Sequence, residues 1–330
     1  MPLNRRRLLA LLPATLTLPW LGRAAAQTTA PVSAPSAAPA DTPALTLAHL
    51  TDIHYGSDLL DDRMPRGLSE RGLRATLRHA QGRGAELILQ GGDLVAEAFN
   101  LPLDRVRPQL DGVVRVLKEE VKVPVYHAAG NHDIWGWDKE KSGTSGNEPG
   151  WGKALYLRAL GLERAYYSFD RAGWHFIVLD NIQPYKEAAY TVKLDSEQMK
   201  WLSADLEAHA AAPTVILSHA PVLSVGAFFD GSFTTGDWVV PHHVMHLDAQ
   251  RLKNLFKKHP QVKLALSGHT HLHDQSRYGG VLYANGGAVS GAAWYSNSQE
   301  TPPGYNLVRL FRDGRATVDY VPTGAEVANR

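Results

Sequence analysis

Five short segments of this 330-residue chain carry side chains that could bind metal ions or move protons. The chain contains no cysteine, so a metal site here would use only nitrogen and oxygen ligands. Such ligands suit divalent Mn, Fe, Zn or Co, and two such ions can activate water for hydrolysis. The candidate residues are Asp52 with His54, Asp93, Asn131 with His132 and Asp133, His219, and His269 with His271.

Gly130-Asn131-His132-Asp133 places a neutral oxygen ligand, an imidazole and a carboxylate in successive positions after the strand-like residues 123–126. A polar tetrapeptide after a strand is, by itself, typical of an ordinary turn. The other four segments favour a functional interpretation, because each of them also follows an apolar, strand-like run. In an open α/β sheet such strand ends meet at one edge, so residues far apart in sequence can form one site.

The elements that must position these residues are predicted from hydrophobic periodicity. Strands alternate with helices at the start of the chain, which predicts a layered α/β fold. Period-2 spacing in an extended segment would also put Asp52 and His54 on one face, within reach of one ion. The predicted helices are 68–80, 101–121, 196–209 and 249–258, and the predicted strands are 45–50, 86–90, 123–126, 165–169, 173–180, 214–217, 262–266, 281–284, 305–311 and 316–321.

The first 26 residues resemble a twin-arginine export signal, with arginines at positions 5–7, an apolar run to Leu21 and alanines at positions 24–26. A membrane anchor would need about 20 uninterrupted apolar residues, whereas this run is shorter and contains two prolines. Residues 27–44 are rich in Pro and Ala and predict a linker, which leaves 45–330 as the folded domain that carries the candidate residues. We therefore expect delivery by the twin-arginine machinery to the periplasm or the exterior, with no membrane span in the mature chain.

The net charge of the chain limits the classes of molecule that it can be expected to bind. Removing residues 1–26 takes away four arginines and no acidic residue, so the formal net charge of +1 becomes −3. A slightly acidic protein lacks the basic surface that nucleic-acid binding requires. We therefore expect a small-molecule substrate and no nucleic acid.

Two segments predict irregular structure. Residues 134–161 are rich in Trp and Gly, which favours a lid or binding loop over a packed surface loop. Residues 222–247 contain three histidines but no carboxylate at ligand spacing, so a further metal site is not expected there. Those histidines are His242, His243 and His246. The tryptophans that could cover a flat group, or could equally lie in the core, are Trp135, Trp137, Trp238 and Trp294.

The ordered set Asp-x-His, Gly-Asp, Gly-Asn-His-Asp, His and Gly-His-x-His resembles the calcineurin-like metallophosphoesterase superfamily and spans residues 45–322. The resemblance implies a four-layer αββα sandwich, with two mixed β-sheets flanked by helices, and a dinuclear metal centre. It also implies that Asp93 bridges the two ions. By motif, one ion would be held by Asp52, His54 and His271, and the other by Asn131, His219 and His269.

The chemistry implied by the resemblance is in-line attack of metal-bound hydroxide on phosphorus, between ions about 3.5–4 Å apart. His132 would stay off the metals and stabilise or protonate the leaving alkoxide, and Asp133 would orient His132. The alternative for Asp133 is a carboxylate that caps the turn.

Two positions at which this chain differs from other branches of the superfamily indicate which class of phosphoester to expect as the substrate. Purple acid phosphatases carry a tyrosine three residues after the bridging aspartate, where this chain has Ala96. Serine/threonine phosphatases follow Gly-Asp with an arginine that grips a phosphomonoester dianion, whereas Glu97 would repel a dianion if it faced the site. The motifs are most similar to bacterial cyclic-nucleotide phosphodiesterases, so we expect a phosphodiesterase. The alternatives are a phosphomonoesterase, a nuclease, or a non-catalytic binding protein on this fold.

Overall fold

The computed structural model describes residues 41–186, 188–229, 236–237 and 239–328. The predicted export signal, the linker up to residue 40 and Trp238 lie outside the described residues. Within the described part of the chain, no helix has the length and apolar character that crossing a membrane requires.

The described strands and helices follow the predicted order closely. The strands are β1 Leu45–Leu50, β2 Ile88–Gln90, β3 Val125–His127, β4 Tyr167–Arg171, β5 Trp174–Val178, β6 Ile182–Pro184, β7 Tyr190–Val192, β8 Thr214–Leu217, β9 Val262–Ser267, β10 Asp274–Tyr278, β11 Val281–Asn285, β12 Gly304–Leu310 and β13 Ala316–Pro322. The helices are α1 Ser57–Leu60, α2 Leu68–Gly82, α3 Leu103–Glu120, α4 Lys139–Ser142, α5 Ala154–Leu160, α6 Ser196–Ala208 and α7 Ala249–Lys258. Short 3-10 turns occur at Asn131–Asp133 and Gly226–Phe228.

Two mixed sheets form the centre of the fold. The first has the order β13-β12-β1-β2-β3, and the second has the order β10-β11-β9-β8-β5-β4. The pairs β1–β2 and β2–β3 are parallel in the first sheet, as are β5–β8, β8–β9 and β9–β11 in the second. Because the carboxyl ends of parallel strands meet at one edge, this topology brings the loops after β1, β2, β3, β8 and β9 together.

Alternating side chains give each sheet two buried faces. The inner faces pack on one another through residues such as Leu47 and Leu89 on the first sheet and Phe176 and Leu217 on the second. The outer face of the first sheet packs against α2 and α3, and that of the second packs against α6 and α7. The predicted four-layer αββα sandwich is thus confirmed.

Helices α2 and α3 are also joined by ion pairs at the surface. Arg74 of α2 contacts Glu119 at 2.6 Å and Glu120 at 2.7 Å, both at the end of α3. Arg115 of α3 contacts Glu70 of α2 at 2.7 Å. Hydrogen bonds from Arg115 and Arg74 lower the pKa of Glu70 to about 2.

Several elements differ from the sequence prediction. The hairpin of β6 and β7 and the edge strand β10 were not predicted, because β6 and β7 have only three residues each and β10 consists mostly of polar residues. Segment 134–161 is not wholly irregular, since it contains α4 and α5, and α5 buries Leu155 and Tyr156. Trp135 and Trp294 are buried in the core, so the interpretation of these two as covers for a substrate is wrong.

Candidate metal centre

The five polar segments converge at one edge of the two sheets. In the first group, Nε2 of His54 lies 3.0 Å from Nε2 of His271, which lies 3.4 Å from Oδ1 of Asp52. The potential ligand atoms of these three residues all lie within 4.8 Å of one another. The geometry thus gathers the three side chains that the sequence assigns to one ion.

The second group surrounds Nε2 of His219, which lies 3.1 Å from Oδ1 of Asn131 and 3.1 Å from Nδ1 of His269. Oδ2 of Asp93 lies 3.3 Å from Nε2 of His219 and 3.8 Å from Nε2 of His54. This oxygen therefore lies between the two groups, where one carboxylate could serve both.

Backbone carbonyl groups fix the outer nitrogens of three of these imidazoles. Nδ1 of His219 donates to the carbonyl oxygen of Gly91 at 2.9 Å, and Nδ1 of His271 donates to that of Gly291 at 2.7 Å. Nε2 of His269 donates to the carbonyl oxygen of His243 at 2.8 Å. Such bonds leave the other ring nitrogen as an acceptor that can bind a metal.

The atoms that face one another in the two groups are therefore mostly acceptors. Oδ1 of Asp52 is buried and takes part in no hydrogen bond, while Oδ2 accepts from the backbone N–H of His269 at 2.9 Å. Buried acceptors that face one another repel unless a cation or a proton lies between them. The ligand set of imidazole, carboxylate and amide oxygen fits divalent transition metals.

Electrostatics show that protons would compete for the same atoms. Burial alone would lower the pKa of His219, but the charge of Asp93 raises it to about 9. Burial would raise the pKa of Asp93, yet the charge of His219 holds it well below its usual range. Burial lowers the pKa of His54 to about 3 and that of His269 to about 4, so both imidazoles are neutral. Neutral imidazoles and ionised carboxylates are the forms that bind metals.

The backbone at the site is unusual. Asp52, His54 and Asp93 have φ angles of 54°, 46° and 51°, and His269 and His271 have 74° and 58°. The segment that carries Asp52 and His54 is therefore not extended, and that part of the prediction is wrong. Both side chains nevertheless reach the group that contains His271, as predicted. Left-handed residues other than glycine cost of order 1–3 kcal/mol each and cluster at functional sites.

Two glycines allow the loops after β2 and β3 to approach one another. Gly92 has a φ of 97°, and a Cβ atom there would collide with the ring of His219. A Cβ atom at Gly130 would collide with the backbone and carboxylate of Asp93. Both positions require glycine because the side chain of a candidate metal ligand occupies the space.

Asp133 does not contact the imidazole of His132. Oδ1 of Asp133 accepts from the backbone N–H groups of Leu94 at 2.8 Å and Val95 at 3.2 Å, and Oδ2 accepts from Gly130 at 2.8 Å. The prediction that Asp133 orients His132 is thus corrected, because the backbone takes up both carboxylate oxygens. Asp133 instead joins the two loops that carry Asp93 and the Gly-Asn-His-Asp turn.

Glu97 is the carboxylate that faces His132, and sequence reasoning did not assign it that role. Its Oε2 lies 3.4 Å from Nδ1 of His132, and its Oε1 accepts from the backbone N–H of Phe99 at 2.6 Å. Gln109 fixes the Glu97 backbone, donating to its carbonyl oxygen at 3.0 Å. Burial would lower the pKa of His132, but Asp93 and Glu97 raise it to about 10. The sequence feature that could have indicated this role is Glu97 itself, an acidic residue at the position where serine/threonine phosphatases carry an arginine.

His132 also lies close enough to the first group to reach it. Its ring centroid is 5.0 Å from that of His54, and its backbone N–H donates to Oδ1 of Asp93 at 2.8 Å. A nitrogen of His132 lies within 4.8 Å of potential ligand atoms of His54 and Asp93. The role of His132 as an acid rather than a ligand remains a prediction.

The histidines of segment 222–247 have other contacts. Nδ1 of His246 lies 2.8 Å from Oδ1 of Asp248, and Nε2 of His246 lies 2.9 Å from the amide nitrogen of Asn181. The backbone carbonyl of His243 accepts from the ring of His269. The segment thus supports a candidate metal ligand through its backbone, a contact that its sequence does not reveal.

The amino-acid sequence is similar to those of known phosphoesterases. The profile of the calcineurin-like phosphoesterase family matches residues 45–273. The chain is 25% identical over 290 residues to a 3',5'-cyclic-nucleotide phosphodiesterase of Nostoc sp.. The alignment covers 84% of this chain and 93% of that protein. It is also 25% identical over 289 residues to a probable cyclic nucleotide phosphodiesterase of Synechococcus sp., with coverage of 84% and 93%.

Solved structures share the fold. A dimetal phosphatase from Danio rerio superposes with a TM-score of 0.60 at 18% identity, over 86% of this chain and 97% of that chain. A purple acid phosphatase from yellow lupin superposes with a TM-score of 0.56 at 16% identity, over 87% of this chain and 53% of that chain. At these identities the likeness shows the architecture alone.

Proposed function

The chain belongs to the calcineurin-like phosphoesterase family and is a metal-dependent phosphoester hydrolase, and from that premise we propose that it is a phosphodiesterase with a dinuclear metal centre. The observation that carries the proposal is the position of Oδ2 of Asp93, 3.3 Å from Nε2 of His219 and 3.8 Å from Nε2 of His54. One ion would be held by Asp52, His54 and His271, the other by Asn131, His219 and His269, and Asp93 would be shared.

Each side chain has a role in that reaction. Two bound divalent ions would lower the pKa of a water molecule and stabilise the entering and leaving oxygens. The carbonyl groups of Gly91, Gly291 and His243 hold the imidazoles so that a lone pair points inward. His132, whose Nδ1 faces the carboxylate of Glu97, would donate a proton to the departing alkoxide.

The acid beside His132 supports a diester substrate. A phosphodiester carries one negative charge, whereas a phosphomonoester carries nearly two at neutral pH, so Glu97 repels a monoester more strongly. The two relatives named as cyclic nucleotide phosphodiesterases support the same class. We infer that cyclic nucleotides are the first substrates to test.

Paired assays test the proposal. Protein treated with a chelator and then given Mn²⁺ should hydrolyse bis-p-nitrophenyl phosphate faster than p-nitrophenyl phosphate, and chelated protein should hydrolyse neither. Turnover of the monoester alone would overturn the diester assignment. Absence of metal-dependent turnover of either ester would favour a binding protein.

We further propose that the protein is exported by the twin-arginine route, on the strength of the arginines at positions 5–7 and the apolar run that follows. Replacing Arg5, Arg6 and Arg7 with lysine should retain the protein inside cells. Fractionation of cells that express each form measures this. Equal export of both forms would contradict the proposal.

A further inference from the structure

Three aromatic side chains from separate segments of the chain lie along one side of the candidate metal centre. We call Phe99, Tyr190 and His243 the aromatic rim. The ring of Tyr190 lies 6.1 Å from that of Phe99 and 6.0 Å from that of His243, and both pairs meet edge to face. Tyr190 also lies 6.3 Å from the ring of His269, a candidate metal ligand. The aromatic rim therefore adjoins the metal centre directly.

Hydrogen bonds fix both ends of the aromatic rim to residues of the site. The backbone N–H of Phe99 donates to Oε1 of Glu97, whose other oxygen faces His132. The carbonyl oxygen of His243 accepts from Nε2 of His269 at 2.8 Å. The aromatic rim thus extends from the carboxylate beside the candidate acid to a candidate ligand of the second group.

The side chains of the aromatic rim are more exposed than the tryptophans of the core. Trp135 and Trp294 are 4% and 0% exposed, as expected of side chains that only pack. By contrast, Phe99 and Tyr190 are half-buried and His243 is exposed. Half-buried aromatic rings beside a polar site offer apolar faces and edges to a flat ligand.

We propose that the aromatic rim is a subsite for the flat ring of the substrate's organic group, such as a nucleobase. This proposal rests on the proposed phosphodiesterase function, since the phosphate must lie at the metal centre for the ring to reach the rim. Contacts between a base and an aromatic side chain change affinity by about 10-fold or more per base. The subsite would favour ring-bearing diesters over equally charged diesters without a ring.

Kinetics of two variants test the subsite. Phe99→Leu and Tyr190→Leu should each raise KM for 3',5'-cyclic AMP and bis-p-nitrophenyl phosphate by about 10-fold, with kcat within about twofold of the parent enzyme. The kcat/KM for glycerophosphoethanolamine, a diester without a ring, should stay within about twofold. Phe99→Tyr, which keeps the ring, should behave as the parent enzyme does.

Tyr278→Leu is the matched control, because Tyr278 is an aromatic residue of β10 that is 55% exposed. This variant should leave KM and kcat for all three substrates unchanged. An equal loss with the diester that lacks a ring, or a fall in kcat alone, would show that the rim only supports the structure and would overturn the proposal. Unchanged kinetics for ring-bearing diesters would overturn it as well.

A binding measurement separates this proposal from the proposed function. In metal-loaded His132→Ala protein, calorimetry should show AMP binding about 10-fold more tightly than ribose 5-phosphate, and Tyr190→Leu should remove the difference. Equal affinities for the two ligands would overturn the subsite even if diesters are hydrolysed. If no diester is hydrolysed, a preference for AMP that depends on Tyr190 would still support the subsite while the phosphodiesterase assignment fails.

Discussion

His132 differs from the candidate ligand imidazoles in what faces its ring nitrogens. The rings of His219, His269 and His271 each donate to a backbone carbonyl, whereas Nδ1 of His132 lies beside the carboxylate of Glu97. A carboxylate partner favours the charged imidazolium, which is the form that a general acid needs. In each of the other three rings, the nitrogen that does not donate to a carbonyl faces the candidate metal centre, where it can bind an ion.

His132→Ala should therefore lower kcat by about 100-fold or more, the usual effect of losing a general acid, and it should leave the metal content unchanged. Turnover of bis-p-nitrophenyl phosphate and elemental analysis of the same sample measure the two quantities. A variant that lost metal would identify His132 as a ligand, and the role of acid would then have to be abandoned.

Glu97→Gln should change selectivity as well as rate. The amide keeps the shape of the side chain but removes the negative charge beside His132, so a monoester dianion is repelled less. We expect the ratio of kcat/KM for p-nitrophenyl phosphate to that for bis-p-nitrophenyl phosphate to rise about threefold to tenfold. Glu207→Gln, at an exposed position of α6, is the control. An unchanged ratio would show that Glu97 does not set the charge preference.

The residues of the site could be predicted from sequence, but their contacts could not. Motif order identified the side chains, because residue type and strand position determine which groups can meet. Whether Asp133 or Glu97 reaches His132 depends on the path of the loops, and a carboxylate can serve either a turn or an imidazole. Local spacing does not distinguish the two, so the orienting role was given to the wrong acid.

At the scale of elements, predictions succeeded where burial gives a strong pattern. The central strands β1, β8 and β9 are buried on both faces and were predicted from alternating or mostly apolar, strand-like segments. The edge strand β10 consists mostly of polar residues that are at least partly exposed, and β6 and β7 have only three residues each, so none of them shows a detectable apolar alternation. Their pairing depends on neighbouring chain segments, which local pattern does not contain. One member of the aromatic rim, Tyr190, lies on that unpredicted hairpin.

The ion pairs between α2 and α3 predict a stability that depends on pH. The folded-state pKa of Glu70 is about 2, below its ordinary value of 4.5. Its contribution is therefore present above about pH 4.5 and is lost as the pH falls towards 2. Glu70→Gln should lower the thermal midpoint by about 2 °C at pH 7, and the difference should shrink below pH 4.5.

Thermal unfolding followed by circular dichroism between pH 7 and pH 3 measures this difference. Glu207→Gln again serves as the control, with no change of midpoint expected at either pH. A difference between Glu70→Gln and the parent that is constant from pH 7 to pH 3 would show that Glu70 does not act through its charge.

At the scale of the whole molecule, the candidate metal centre joins the two sheets. Asp52, Asp93 and Asn131 follow strands of the first sheet, and His219 and His271 follow strands of the second. The inner faces already pack together through apolar side chains. At the sheet edge, buried acceptors that face one another repel unless cations lie between them, so bound cations would hold the two sheets together there.

Metal removal should therefore lower the thermal midpoint of the whole fold. A ligand present at about 100 times its Kd stabilises the native state by about 2.7 kcal/mol, which corresponds to a change of about 4–5 °C for a protein of this size. Chelated protein should show the lower midpoint, and added Mn²⁺ should restore it. Asp93→Asn removes the shared carboxylate, so its midpoint should respond to Mn²⁺ by less than about half as much. If chelated and loaded parent protein unfold at the same temperature, the ions do not join the sheets, and the shared-carboxylate arrangement is wrong.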